Sequence, residues 1–231
     1  MKIGILETGR PSPALQSRFG RYDLMLARLL GERYRTRTYS IPAAQYPERP
    51  GDHDAYLITG SAAGVYDDLP WIVDLKAFLR QTKGKAKLVG ICFGHQIMAE
   101  AFGGRVEKSD QGWGVGLHRY DVRAKASWMD DVPGFSIPVS HQDQIVEPPP
   151  HSHVVAASPF TRFGVIAYDD QPALSFQCHP EFQPEFAAVL IEERRERLPD
   201  PDKAIATLQQ PNDSAMVGGW IRRFLEGSGD A

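Results

Sequence analysis

Only 2 cysteines, Cys92 and Cys178, occur in 231 residues, too few for a disulfide framework. A reducing, cytoplasmic compartment, where a thiol stays free, is therefore expected. No apolar run is long enough to span a membrane. The N-terminal Met1 to Glu7 reads as a first strand, not as a signal peptide. An excess of positive charge is missing too: 26 Lys and Arg stand against 29 Asp and Glu, giving a formal net charge of -3. Nothing in that balance asks for a nucleic-acid partner. There is no internal repeat, no low-complexity tract and no G-x-x-x-x-G-K-[ST] nucleotide loop. His151 and His153 sit in a proline-rich turn without a cysteine or carboxylate cluster, so no metal site is expected there.

What is present suits one α/β domain over residues 1–231, with 42% hydrophobic and 24% charged residues. Strand patterns fall at 2–7, 34–40 and 55–58, and helical spacing at 14–30 and 71–81. A further strand leads into helical spacing at 97–102. This β-α-β-β-α-β-α order favours a mostly parallel central sheet with helices on both faces. After Gly104 the chain turns β-rich, at 105–122, 136–146, 154–157 and 165–168, which reads as a smaller antiparallel section. The tail, 184–197 and 214–225, reads as helices packed on the outside. Within it, Glu192 to Arg197 alternates in sign and reads as a solvated helix face.

Chemistry is concentrated in Gly90-Ile91-Cys92-Phe93-Gly94-His95-Gln96. A small residue on each side of a central nucleophile lets a strand turn sharply into a helix and expose that side chain. The serine version is the nucleophile elbow of hydrolases. Here the apex is Cys92, at a helix N-terminus whose unpaired N–H groups favour thiolate. The predicted chemistry is attack on an acyl carbon, with the Phe93 N–H as half of an oxyanion hole. Far downstream, Ala173 to Phe176 reads as a buried strand, and Pro180 prevents its continuation. His179 then projects above the sheet edge, and Glu181, two residues on, can hold its imidazole in one tautomer. Cys92, His179 and Glu181 make a candidate triad.

Gly-Ile-Cys-Phe-Gly-His-Gln followed by His-Pro-Glu resembles the class I, or triad, glutamine amidotransferase family. Stand-alone proteins similar to the amidotransferase domain of GMP synthase are the nearest kind. The likeness covers nearly the whole chain. It implies a flavodoxin-like α/β fold and a reaction that needs no metal or organic cofactor. It also implies roles for further residues. Ile58 to Asp68 resembles the family's glycine-rich oxyanion loop, with Gly60 at the substrate and the Ser61 N–H as second donor. This chain has Ser61 and Ala62 where the family often has a second glycine or a proline. Trp113 and Gly114 resemble the segment that meets the amino-acid end of the substrate. Ser140 and His141 belong to a Ser-His-x-Asp turn ending at Asp143, which in the family contacts the α-carboxylate and α-amine. Gln96 resembles the glutamine that lines the pocket.

Three readings stay open. The chain is a glutaminase that releases glutamate and ammonia for a separate synthetase subunit. Or it is a self-contained hydrolase of γ-glutamyl amides or peptides. Or it is a non-catalytic binding module retaining the fold. Lacking a nucleotide loop, it is not expected to make GMP alone.

Overall fold

The computed structural model describes residues 1–227. In chain order the elements are β1 (Lys2–Glu7), α1 (Pro13–Phe19), α2 (Tyr22–Leu30), β2 (Arg35–Ser40), β3 (Ala55–Ile58), α3 (Pro70–Thr82), β4 (Lys87–Ile91) and α4 (Phe93–Ala101). Then follow β5 (Arg105–Lys108), β6 (Gly114–Val122), β7 (Gly134–His141), β8 (Asp143–Glu147), β9 (Ser152–Ala157), β10 (Val165–Tyr168) and β11 (Ala173–Phe176). The chain closes with α5 (Pro184–Glu193), α6 (Pro201–Thr207) and α7 (Ser214–Glu226).

Nine strands form one sheet in the order β2-β1-β3-β4-β11-β10-β9-β6-β7. The first five are mutually parallel, and the pairings from β11 to β7 are antiparallel. Most of the antiparallel section thus extends the main sheet; only β5 and β8 form a separate two-stranded ribbon.

Both faces of the parallel half are apolar, and the period-2 alternation divides them. Ile3, Ile5, Ala55, Leu57, Val89 and Ile91 face one way, against Leu26 and Leu30 of α2 and Val217, Trp220, Ile221 and Leu225 of α7. Leu6, Tyr56, Ile58 and Leu88 face the other way, against α3 and α4.

Two expectations for the helices need correction. The spacing over 14–30 is broken at Gly20, whose φ of 89° ends α1, and α2 restarts at Tyr22. The break lets α1 pack on α5, where Phe19 meets Phe186 edge-on at 5.5 Å. The tail does not simply lie outside. Trp220 is wholly buried in the core and donates its indole N–H to Asp130 at 2.8 Å. The sequence reading also missed α6, whose Ala204 packs with Ile191 of α5.

The register sets up the site. Ile58 pairs with Gly90, and Gly90 pairs with Ser175. So the chain leaves β3, β4 and β11 side by side, at the carboxyl edge where open α/β sheets bind ligands.

Candidate active site

Cys92 alone separates β4 from α4, and its φ of 55° and ψ of -104° are strained for a residue with a side chain. The flanking glycines explain how so tight a junction closes. A Cβ on Gly90 would lie 2.5 Å from the Gly94 carbonyl oxygen, and one on Gly94 would lie 2.4 Å from the Ile58 carbonyl oxygen. The Cys92 N–H is held by the Phe176 carbonyl at 2.8 Å, and its own carbonyl accepts from Gln96 N–H at 3.1 Å. Phe93 opens α4, so its N–H has no intrahelical acceptor. Its ring is buried on the far side, 5.5 Å from Trp71.

His95, next in the motif, is a structural tie. Its ring nitrogens contact Ser175 Oγ at 2.8 Å and the Phe163 carbonyl at 2.9 Å. Burial lowers its pKa to about 3, so the ring stays neutral.

His179 follows β11, and its backbone N–H donates to the Pro138 carbonyl at 2.9 Å. Nδ1 lies 2.8 Å from Glu181 Oε1, leaving Nε2 on the Cys92 side. The Phe182 ring stacks on the imidazole at 3.9 Å and 8°, and Tyr22 stacks on Phe182 at 5.8 Å. Burial works against a charged imidazole here. The Glu181 carboxylate and the Cys92 sulfur outweigh it, and the His179 pKa is raised. A Cβ built on Gly60 would lie 3.2 Å from His179 Cε1 and 3.8 Å from Cys92 Cβ. Both side chains therefore border the same point beside the glycine loop.

That loop is latched from beneath. The Thr8 hydroxyl donates to the Thr59 carbonyl at 2.9 Å, and the Ser61 hydroxyl donates to the Thr8 carbonyl at 2.9 Å. Ser61 Oγ also accepts from the Ala63 N–H at 3.2 Å. The Ser61 side chain is thus committed away from the sulfur.

A cavity of about 450 Å³ opens over Cys92 and His179, bordered by Gly60, Ser61, Gln96, Trp113, Ser140 and His141. Several of these differ from expectation in what they offer. Gly114 is not in the wall; a Cβ there would strike the Phe160 ring at 2.4 Å. His141 spends Nδ1 on the Asp143 carbonyl at 3.1 Å and turns Nε2 to Thr161 Oγ1 at 3.4 Å. Burial keeps its ring neutral, with a pKa lowered to about 3. Gln96 donates its amide to the Asp143 carbonyl at 2.8 Å and to Gln177 Oε1 at 3.0 Å, which ties α4 to β8. Asp143 accepts the Tyr66 hydroxyl at 2.9 Å.

The sequence reading missed Arg194 and Arg197. Neither is simply part of a solvated face: both border the cavity, and Arg194 Nη1 donates to Ser140 Oγ at 2.8 Å. The guanidinium lies 5.5 Å from the Trp113 ring centroid, so Trp113 is its platform. The available signal was position. Both arginines lie within twenty residues after His179, at the end of the helix that follows His-Pro-Glu. Cys178 is fully buried, and burial raises its thiol pKa. Among the described residues no cluster of three His, Cys, Asp or Glu side chains could hold a metal ion. No described helix is long and apolar enough to cross a membrane.

The family model for class I glutamine amidotransferases matches residues 29–193, a span that contains Cys92, His179 and Glu181. The chain belongs to that family. The glutamine-hydrolyzing GMP synthase subunit of Ignicoccus hospitalis is 31% identical over 172 residues, 71% of this chain and 85% of that protein. Gamma-glutamyl peptidase 5 of Arabidopsis thaliana is 29% identical over 187 residues, 76% of this chain and 74% of that protein. A glutamine amidotransferase structure from Thermotoga maritima superposes with a TM-score of 0.77 over 99% of both chains at 17% identity. That last likeness is one of fold. The chain's relatives carry both peptidase and synthase names.

Proposed function

We propose that this chain hydrolyses the side-chain amide of a glutamyl substrate, glutamine in the simplest case, through a γ-glutamyl thioester on Cys92. The observation that carries the reading is the strained Cys92 at φ 55° bordering, with the Glu181-bonded His179, one point in an open cavity. The Cys92 thiolate attacks the amide carbon, and the N–H groups of Phe93 and Ser61 receive the oxyanion. The carbon–nitrogen bond breaks as the His179 imidazolium protonates the departing nitrogen, which leaves as ammonia from glutamine. Water then gives a proton to the imidazole and attacks the thioester. Glutamate departs and the thiol is restored. Glu181 keeps the ring in one tautomer, and Phe182 keeps it in one plane. No metal or organic cofactor enters this scheme. A separate synthetase is the partner we propose for the ammonia, in a reducing cytoplasmic compartment that preserves the thiol.

A second reading, a self-contained hydrolase of γ-glutamyl amides or peptides, is favoured by the cavity extending from Cys92 to Trp113, Arg194 and Arg197. Ammonia release from glutamine, compared with amine release from γ-glutamyl dipeptides by the isolated chain, separates the two. In both, Cys92→Ala is expected to lower turnover by about a thousandfold or more. Undiminished turnover in that variant rejects the nucleophile.

A further inference from the structure

The charge run at the end of α5 divides by direction. Arg195 pairs with Glu192 and Asp202, at 2.7 Å each, and takes no part in the cavity wall. Arg194 and Arg197, on either side of it, border the cavity, and among the described residues neither has a carboxylate partner. Arg194 is half-buried and uses one donor on Ser140 Oγ. A guanidinium carries five N–H donors in a planar fork. Here Trp113 beneath and Ser140 beside it hold that fork in place before any ligand arrives. A fixed guanidinium without an internal anion is suited to a two-point contact with a carboxylate.

The cavity also carries carboxylates. Asp67 accepts the Gly64 N–H at 2.8 Å, and Asp143 accepts the Tyr66 hydroxyl at 2.9 Å; both border the cavity. Arginines thus reach the cavity from the end of α5, and carboxylates from the glycine loop and β8, with Lys108 of β5 beside Asp143. A cleft lined by both signs suits a ligand bearing both an ammonium and a carboxylate.

We infer that Arg194, assisted at the rim by Arg197, is the carboxylate receptor of this cavity and takes a carboxylate of a γ-glutamyl substrate. That carboxylate is the α-carboxylate of the glutamyl unit or one carried by the leaving group. The inference rests on the hydrolytic reading above for its substrate class, yet binding tests it without turnover.

Titration calorimetry with glutamate and with γ-glutamylglycine is run on Cys92→Ala, alone and combined with Arg194→Gln, Arg194→Lys or Arg195→Gln. Losing a charge-assisted contact is expected to weaken binding about tenfold or more in Arg194→Gln. Arg194→Lys should recover part of the loss, and Arg195→Gln should bind like the parent. Turnover of a γ-glutamyl anilide and of γ-glutamylglycine, with Cys92 intact, then separates the two carboxylates. Equal losses in Arg194→Gln assign the α-carboxylate. A loss confined to γ-glutamylglycine assigns the leaving group. Unchanged binding in a folded Arg194→Gln protein, or no binding of either ligand to Cys92→Ala itself, overturns the proposal. Arginine-dependent binding without turnover of any γ-glutamyl compound keeps the receptor and rejects the hydrolytic reading instead.

Discussion

The two walls of the cavity are built differently. On the Cys92 side, backbone geometry does the positioning. A strand, a single strained residue and a helix follow one another, and two glycines touch carbonyl oxygens where any Cβ would collide. On the Trp113 side, Ser140 of β7, Arg194 at the end of α5 and Trp113 before β6 lean on one another. The first wall is rigid because its alternatives are sterically forbidden. The second holds through single hydrogen bonds and stacking, each worth about 1 kcal/mol, so any one of them can be lost without loss of the fold.

Substitutions can break this contrast. The largest effect belongs to Gly94→Ala. Its new methyl meets backbone, the Ile58 carbonyl, and cannot be relieved by a rotamer change. A stability loss of about 3 kcal/mol in denaturant unfolding is expected, together with loss of turnover. A stable, active Gly94→Ala protein would mean that the elbow wall is as pliable as the other.

Glu181→Gln comes next, with turnover lowered about a hundredfold. Its signature is in pH. Glu181 and the Cys92 sulfur raise the His179 pKa above the imidazole value of 6.5. If the reactive form is a thiolate–imidazolium pair, the alkaline limb of kcat/KM reports loss of the His179 proton and lies above that value. Removing the carboxylate moves this limb to lower pH; an unmoved limb would deny Glu181 its electrostatic part. The stability linkage has the matching sign. A folded-state pKa above the unfolded one stabilises fully below pH 6.5, and the benefit disappears as pH rises through the folded value.

The smallest effect is expected for Thr8→Val, which keeps the shape of a buried side chain but removes its hydroxyl from the Thr59 and Gly60 carbonyls. About 1–2 kcal/mol of stability should be lost in thermal unfolding. Turnover should fall a few-fold through the loosened Ser61 N–H, with KM little changed.

How much was legible follows the same division. Strands 2–7, 55–58, 165–168 and 173–176 could be read because continuous or alternating apolar residues leave few other arrangements. The elbow could be read because sterics confine it to neighbouring positions. The break at Gly20 could not, since Leu15, Phe19, Tyr22 and Leu26 keep helical spacing through it and only packing against α5 bends the chain. The direction of Arg194 was equally hidden, because a run of alternating charge looks the same whether it faces water or a cleft. Gly114, one position from a residue that does reach the cavity, turns to Phe160, which no motif records.

By itself, then, the chain determined its strands, its strained cysteine and the pairing of His179 with Glu181, because these depend on residues close together in sequence. Tertiary structure alone decided that β4 and β11 lie adjacent, that Phe182 stacks on the imidazole, and which arginines enter the cleft. Those outcomes depend on contacts between distant segments, where burial and close packing choose among arrangements that local spacing leaves equal.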